Sequence, residues 1–303
     1  MVYSARPENL KSGIFLDSGD PLETKLVLDE LGFLDGQTTN PSLVAKNPDI
    51  AAKIERGEKL TKDKLLSEYK KIVQKIAEMI PDRSVSIEVY ADEGTGAQEM
   101  IEQGKEMYTW INSAHIKLPT TTEGLKAARV LTQEGYRVNM TLVFKQEQAA
   151  AVHSATSGVQ RGHVFVSPFL GRLDDQGIRG IDVVSNIMQM YKSQNSHVET
   201  LAASIRSLDH LLFLMYLHTD IITVPYKVLK KWIRIGAPVP ERKDIDPASR
   251  HNDISYFFGD ELAGIPYERI DMNQPFENFN IQHELTDTGL RKFSEDWNKL
   301  LVS

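Results

Sequence analysis

Short apolar runs recur along the chain, and segments with helical periodicity separate them. Within several of the runs, apolar residues alternate with other residues in the period of two that is typical of β-strands. The sequence therefore predicts eight strands. The runs are GIFLDS (13–18), GQTTN (36–40), VSIEVY (85–90), AHIKLP (114–119), RVNMTLVF (137–144), HVFVSPF (163–169), HVETLAAS (197–204) and DIITVP (220–225).

The segments between the runs carry helix signals rather than hairpin turns, as crossovers between parallel strands require. Asp20 can cap a helix after the first run, and Gly32 can end that helix. Thr120 and Glu123 have the spacing of a capping box, and Gly135 can end the helix that they begin. After the second run, one apolar stripe recurs at helical spacing: Leu65, Tyr69, Ile72, Ile76 and Met79.

Strand–helix units that follow one another from residue 13 to about residue 236 predict an α/β protein with a (β/α)8, or TIM, barrel. An open, doubly wound sheet is the alternative, but no GxGxxG or P-loop motif follows any run. We expect residues 1–236 to form the barrel. Residues 237–303 should form a C-terminal extension, not a separate domain, with a helix packed on the barrel. The apolar face of that helix is Leu290, Phe293, Trp297 and Leu300.

Composition narrows the classes of function. The 303 residues are 41% hydrophobic, as in ordinary globular proteins, and the net charge of −7 argues against nucleic-acid and membrane partners. The absence of cysteine excludes disulfides, thiolate catalysis and cysteine-ligated metal sites. The N-terminal segment lacks the apolar core of a secretory signal, and no apolar run reaches about 18 residues. We therefore expect a soluble, cytoplasmic protein.

Polar residues lie on the strand faces that alternation turns toward the barrel interior. If the apolar residues of each strand pack under the helices, the polar ones meet near the C-terminal strand ends, where barrel enzymes have their active sites. The eight histidines lack metal-ligand spacing, so we expect structural or surface roles for them. The inward set is Asp17, Glu88, His115, Lys117, Asn139 and Thr141.

Lys117 is the most informative member of this set. Taken singly, a strand-end lysine most often reaches solvent, and a lone strand carboxylate most often pairs with an arginine. An enclosed ammonium without a partner is costly, so an inward Lys117 should either pair with Glu88 or Asp17 or lose its proton. Because a neutral amine can attack a carbonyl group, the hypothesis is a lysine that forms a Schiff base.

Motifs in order along the chain resemble those of the transaldolases. TTNPS followed by KLP and SPFxGR is a specific combination, and the resemblance extends from FLDSGD near the start to LTDTGLRKFSEDWNKL near the end. The motifs are GQTTNPSLV (36–44), SIEV (86–89), HIKLP (115–119), VNMTLVF (138–144), SPFLGRLDD (167–175) and AASIR (202–206).

The resemblance implies a barrel that moves a dihydroxyacetone unit between sugar phosphates through a lysine imine, without a metal or an organic cofactor. By matching motif positions, Lys117 is the imine lysine and Asp17 the acid/base for the donor hydroxyl, while Glu88 and Thr141 hold a catalytic water. Asn40 and Asn139 match amides that bind donor hydroxyls, and Ser167 lies beside them. Arg172, Ser204 and Arg206 match the phosphate site of the family. Without the motif, Arg172 would be interpreted as an exposed arginine that pairs with Asp174 or Asp175.

Transaldolase activity interconverts sedoheptulose 7-phosphate and glyceraldehyde 3-phosphate with erythrose 4-phosphate and fructose 6-phosphate. A related branch, the fructose 6-phosphate aldolases, releases free dihydroxyacetone. That branch typically has glutamine at the position of Glu88 and tyrosine at the position of Phe169. The two residues of this chain therefore favour transfer. KLPTTTEG and GRLDDQGIRG nevertheless resemble the shorter branch, and the segment from Thr141 to Ser167 is longer than expected. A non-catalytic sugar-phosphate-binding relative is the alternative of another class. The sequence leaves homo-oligomerisation open.

Overall fold

The computed structural model describes residues 6–58, 60–240 and 261–301. Within them the strands are β1 (Gly13–Asp17), β2 (Gly36–Thr38), β3 (Ser84–Glu88), β4 (Ala114–Pro119), β5 (Val138–Val143), β6 (Val164–Pro168), β7 (Glu199–Ala202) and β8 (Ile221–Val224). Each strand pairs in parallel with the next, and β8 pairs with β1 to close the barrel. The prediction of a (β/α)8 barrel is confirmed. The pairing of Ile14 with Ile222 excludes the open sheet.

Helices connect and surround the strands. A short 3-10 helix, Phe276–Asn278, precedes the last helix. The helices in the described residues are α1 (Pro21–Leu31), α2 (Pro41–Ala45), α3 (Pro48–Glu55), α4 (Lys62–Met79), α5 (Ala97–Tyr108), α6 (Thr122–Gln133), α7 (Gln146–Ala155), α8 (Leu170–Asp174), α9 (Gly180–Ser193), α10 (Leu208–Tyr216), α11 (Tyr226–Arg234) and α12 (Glu284–Asn298).

The helix signals in the sequence are confirmed with one exception. Asp20 caps α1 by accepting a hydrogen bond from the Leu22 amide, and Gly32 ends the helix in the left-handed conformation. The predicted capping box at Thr120 is wrong by one residue. The Thr120 hydroxyl donates instead to the Thr141 carbonyl at 2.8 Å, which extends the strand pairing, and Thr121 caps α6.

Gly124 explains how closely α6 follows the strand before it. A Cβ atom at this position would lie 1.9 Å from the carbonyl oxygen of Pro119, the last residue of β4. Only glycine lets the first turn of the helix approach that carbonyl without moving the backbone. The sharp connection keeps the C-terminal end of β4, and therefore Lys117, directly beneath the loops of the barrel mouth.

Alternation divides the barrel residues into two apolar groups. The outward residues of the strands, such as Leu16, Ile87 and Ile116, pack under the helices in the main core. A separate cluster fills the barrel interior and consists of Phe15, Phe165, Leu201 and Ile221. We call this cluster the interior plug. It closes the barrel on the N-terminal side of the polar residues because Phe15 precedes Asp17, and Phe165 precedes Ser167, on the same strand face.

His115 completes the plug and has a structural role, as the sequence predicts for the histidines. Its ring stacks on Phe165 with centroids 4.1 Å apart. Its Nε2 lies 3.0 Å from the Gly162 carbonyl oxygen and its Nδ1 lies 2.8 Å from Ser84 Oγ. Because a carbonyl only accepts, Nε2 donates its proton and Ser84 donates to Nδ1. Burial lowers the pKa of His115 to about 3, so the ring is neutral.

The chain after the barrel runs along the helical layer before it reaches α12. Asn186 on α9 donates a hydrogen bond to the Ile265 carbonyl at 3.0 Å. Gln194, which follows α9, donates to the Ile270 carbonyl at 2.8 Å. Helix α12 then packs against α2 and β5, and its predicted apolar face is buried. Residues 241–260 of the predicted extension lie outside the described residues, and the boundary at residue 236 stays a prediction.

No helix of the described residues has the length and apolar character needed to span a membrane.

The buried His115 predicts a loss of stability in acid. Its pKa is about 3 in the folded protein and near its ordinary value of 6.5 in the unfolded chain, which therefore binds one more proton between these values. His115 should by itself lower the free energy of unfolding by up to about 1.4 kcal/mol for each pH unit between about 6.5 and about 3. His115→Gln keeps one donor and one acceptor but does not titrate, so it removes this contribution.

Urea unfolding of the wild type and of His115→Gln, from about pH 7 to about pH 5, measures the effect. We expect the stability difference between the two proteins to shrink as the pH falls. A difference that stays constant over this range would contradict a neutral, buried imidazole.

Candidate active site

A pocket of about 260 Å³ opens at the C-terminal ends of the strands. Eight of the residues that the sequence predicts for the site line it: Asp17, Asn40, Lys117, Ser167, Phe169, Arg172, Ser204 and Arg206. The other three are Glu88, Asn139 and Thr141, which are buried below the lining residues. The structure thus brings the whole predicted set to one end of the barrel.

Lys117 and Glu88 form a buried ion pair at the base of the pocket. They are register partners on β4 and β3, and Lys117 Nζ lies 2.9 Å from Glu88 Oε2, with both side chains 4% exposed. Burial raises the pKa of Glu88, while the positive charges of Lys117 and Arg172 oppose that rise. The Tyr69 hydroxyl accepts a hydrogen bond from the Glu88 amide at 3.0 Å and fixes the strand at this point.

Asp17 is held by a short chain of hydroxyl groups. Thr38 Oγ1 donates to Asp17 Oδ1 at 2.8 Å, and Thr223 Oγ1 lies 2.6 Å from Thr38 Oγ1. A hydroxyl has one proton, so Thr223 must donate to Thr38 when Thr38 donates to Asp17. Burial raises the pKa of Asp17, and the charge of Lys117 limits the rise. A carboxyl group with a raised pKa and a fixed orientation is suited to proton transfer.

The polar residues of β5 and β6 orient one another. Ser167 Oγ donates to Asn139 Oδ1 at 2.7 Å, and Asn139 Nδ2 donates to Ser86 Oγ at 3.0 Å. These contacts hold the Asn139 amide between two hydroxyl groups. Thr141 Oγ1 is buried and has no hydrogen-bond partner among the described residues. An unpaired buried hydroxyl remains available to bind a small polar molecule.

The far side of the pocket carries positive charge. Arg172 is half-buried and has no carboxylate within 4 Å in the described part of the chain, so it does not pair with Asp174 or Asp175. Asp175 pairs with Arg206 at 2.9 Å, and Asp174 contacts His210 at 3.0 Å. Burial and the nearby charge of Arg206 lower the pKa of Arg172. An arginine without a direct carboxylate partner is suited to an anionic ligand.

Ser204 joins Arg206 beside Arg172 through an uncommon backbone conformation. Its φ is +63°, in the left-handed region that residues other than glycine seldom adopt. Gly171 lies against the same turn, where a Cβ would be 2.2 Å from the Ser204 carbonyl oxygen. The turn after β7 and the start of α8 therefore meet closely. The contact brings residues of two loops to the anionic end of the pocket.

Sequence reasoning missed the contribution of two helices to the pocket. Ser42, Leu43 and Lys46 belong to α2 or its C-terminal cap, and α12 supplies Lys292, Phe293 and Asp296. Ser42 Oγ donates to Asp296 Oδ2, and Lys292 Nζ lies 2.7 Å from Asp296 Oδ1. The sequence marks Phe293 only as part of an apolar helical face. Nothing in its local pattern shows that this face covers a polar pocket.

Residues 14–303 match a family model described as Transaldolase/Fructose-6-phosphate aldolase. A probable transaldolase from Dehalococcoides mccartyi is 37% identical over 287 residues, which are 95% of this chain and 98% of that protein. A probable transaldolase from Clostridium botulinum is 39% identical over 216 residues, 71% of this chain and 86% of that protein. One from Clostridium perfringens is 31% identical over 286 residues, 94% and 97% of the two chains.

The buried ion pair predicts strong coupling between its members. Glu88→Gln and Lys117→Met each leave one buried charge without its partner, so each should lower the free energy of unfolding by about 3 kcal/mol. The double variant should lose less than the sum of the two because it leaves no unpaired charge. Urea unfolding of the three variants measures this coupling.

The surface pair of Lys105 and Glu134, at 2.7 Å and with both side chains more than a third exposed, is the matched control. Lys105→Met and Glu134→Gln should each change stability much less than the variants of the buried pair do, because solvent screens the surface pair. Additive losses for Glu88→Gln and Lys117→Met would show that the two buried groups act independently.

Proposed function

The chain belongs to the transaldolase/fructose-6-phosphate aldolase family, and within it we propose a transaldolase that forms a Schiff base on Lys117. The proposed reaction transfers a dihydroxyacetone unit from sedoheptulose 7-phosphate to glyceraldehyde 3-phosphate, giving erythrose 4-phosphate and fructose 6-phosphate. This reaction belongs to the pentose phosphate pathway, and a cytoplasmic location stays a prediction. The observation that carries the proposal is the buried lysine at 2.9 Å from Glu88, at the base of a pocket that Asp17 also lines.

The chemistry begins with attack of the neutral Lys117 amine on the ketose carbonyl carbon. Proton transfers through Glu88 would let the oxygen of that carbonyl leave as water, and an iminium forms. Thr141 is suited to bind the water because its buried hydroxyl has no partner in the described residues. The raised pKa of Glu88, which burial causes, supports a role in which this group both accepts and donates a proton.

Asp17 would then take the proton of the hydroxyl next to the bond that breaks. The electron pair of that carbon–carbon bond moves toward the iminium nitrogen, an aldose phosphate leaves, and an enamine stays on Lys117. The incoming aldehyde accepts the enamine carbon, and Asp17 returns the proton to the new alkoxide. Hydrolysis of the second iminium releases the product ketose. Thr38 and Thr223 support this role because they hold the Asp17 carboxylate in one position.

The charge distribution supports a phosphorylated substrate. Five cationic side chains line the pocket, Lys46, Lys117, Arg172, Arg206 and Lys292, against two carboxylates, Asp17 and Asp296. This excess is local, since the whole chain carries a net charge of −7. A positive pocket in a negative protein attracts a compact anion to one place. Arg172 is the proposed phosphate ligand because it forms no ion pair within 4 Å with a carboxylate of the described residues, and Asp175 pairs instead with Arg206.

Glu88 and Phe169 favour transfer over the aldolase alternative. Phe169 lies near Lys117, with its ring centre 5.9 Å from Nζ, and it has no hydroxyl with which to order water or move a proton. The alternative activity is cleavage of fructose 6-phosphate with release of free dihydroxyacetone. The non-catalytic relative is less well supported, since every proposed site position carries a residue suited to its role.

The two activities are separated by their dependence on an acceptor. With fructose 6-phosphate as donor, we expect glyceraldehyde 3-phosphate to form when erythrose 4-phosphate is present and to form much more slowly without it. A coupled dehydrogenase assay measures both rates. Equal rates with and without the acceptor would replace the transaldolase with an aldolase.

Variants and covalent trapping test the proposed residues. Lys117→Met should abolish turnover, and Asp17→Asn should lower kcat by about 10²-fold to 10⁴-fold because it loses an acid/base group. Borohydride added with the donor should attach a reduced three-carbon unit to Lys117, which peptide mass spectrometry locates. Donor binding without any trapped adduct would favour the non-catalytic relative.

A further inference from the structure

Two phenylalanine rings stand between the cationic groups of the pocket. The centre of the Phe293 ring is 5.8 Å from Lys117 Nζ and 5.4 Å from Arg172 Cζ. The corresponding distances for Phe169 are 5.9 and 5.1 Å. Both phenylalanines line the pocket and are less than 10% exposed. Each ring therefore contacts the amine at the reactive end and the guanidinium at the anionic end.

The two rings belong to different parts of the molecule. Phe169 follows β6, and its ring packs edge-on against Phe144 after β5, with centroids 6.0 Å apart. Phe293 comes from α12 and reaches the pocket only because this helix approaches the barrel mouth closely. Gly289 allows that approach, since a Cβ there would lie 2.6 Å from Arg172 Nη1. Phe293 is thus a wall of the pocket that the C-terminal helix supplies.

Contacts along α12 hold Phe293 in place. In the first turn, Thr286 Oγ1 donates to the Leu142 carbonyl at 2.9 Å and binds the helix to β5. In the last turn, Asp296 accepts a hydrogen bond from Ser42 on α2, and Trp297 packs edge-on against Tyr69. Because anchors lie on both sides of Phe293, they fix the part of the helix from which its ring enters the pocket.

We propose that Phe293 is a positioning residue that keeps solvent from protonating the enamine carbon on Lys117 and thereby favours transfer over release. This inference rests on the proposed function. Release requires the enamine carbon to take a proton from solvent, which gives an iminium. Water then adds to the iminium carbon and supplies the ketone oxygen, the carbon–nitrogen bond breaks, and Lys117 recovers its amine as free dihydroxyacetone leaves.

The Phe293 side chain disfavours release because it occupies space beside Lys117 and because it is apolar. Its ring has no donor or acceptor, so it offers a water molecule no hydrogen bond. Truncation to alanine would open space beside Lys117 and Arg172, and a water there would find polar partners. The ring also lies over Arg172, so its loss should raise the KM of phosphorylated donors as well. The consequence that distinguishes this proposal from a loss of substrate binding is that more of the intermediate should be released as free dihydroxyacetone.

The test is the ratio of acceptor-independent to acceptor-dependent formation of glyceraldehyde 3-phosphate from fructose 6-phosphate. For Phe293→Ala, we expect this ratio to rise by about tenfold over wild type, which corresponds to about 1.4 kcal/mol of discrimination between two barriers. Phe293→Leu should give a smaller rise of this ratio. If the alanine variant does not fold, the leucine variant tests the proposal. Free dihydroxyacetone, measured directly, should increase with the ratio.

Phe276→Ala is the matched control. Phe276 is also buried and also lies over an arginine, Arg129, at 4.9 Å, but it does not line the pocket. Its ratio should equal that of wild type even if its stability falls. If both rates of the Phe293 variants fall together and the ratio stays unchanged, Phe293 is only a packing residue. Failure of wild type to form the borohydride adduct would instead refute the proposed function itself.

Discussion

The site depends on one interaction, the contact between Lys117 and Glu88 inside the closed barrel. Neither group would be stable alone where it lies, because transfer of a single charge from water into a protein interior is strongly unfavourable. The two strands that carry them are adjacent, and their register makes the side chains partners. Tyr69, reaching in from α4, fixes the backbone of Glu88. The helical layer outside the barrel therefore contributes directly to the geometry of the buried pair.

The rest of the site is arranged around this pair in two directions. Asp17 and its threonine neighbours lie on one side of Lys117, and Arg172 lies on the other, beyond the two phenylalanine rings. A substrate with a carbonyl group near one end and a phosphate at the other matches this separation of functions. The polar residues come from strands, whose positions the closed barrel fixes. The rings and the outer cations come mainly from loops and helices, where sequence changes can alter specificity without altering the barrel.

Local regularity explains what could be predicted from the sequence. Alternation correctly turned His115 and Lys117 inward, because a strand buried on both faces admits polar residues only on the side that offers partners. The cap of α6 was misplaced by one residue because a distant carbonyl, that of Thr141, binds the Thr120 hydroxyl. The contacts of Phe293 were beyond prediction for a similar reason. A helical stripe specifies that one face is buried, but not what it is buried against.

The interior plug of Phe15, Phe165, Leu201 and Ile221, with His115 stacked on it, leaves the barrel filled below Lys117. Among the described residues, the pocket therefore opens at the barrel mouth and is closed by the interior plug at its other end. Ligands that share one entrance and one phosphate site must use them in turn. In the proposed reaction, the first aldose phosphate would therefore have to leave before the second could enter, and the covalent intermediate would be alone in the site between these two events. The packed interior of the barrel, as well as the proposed reactive residues, would thus determine the order in which substrates exchange.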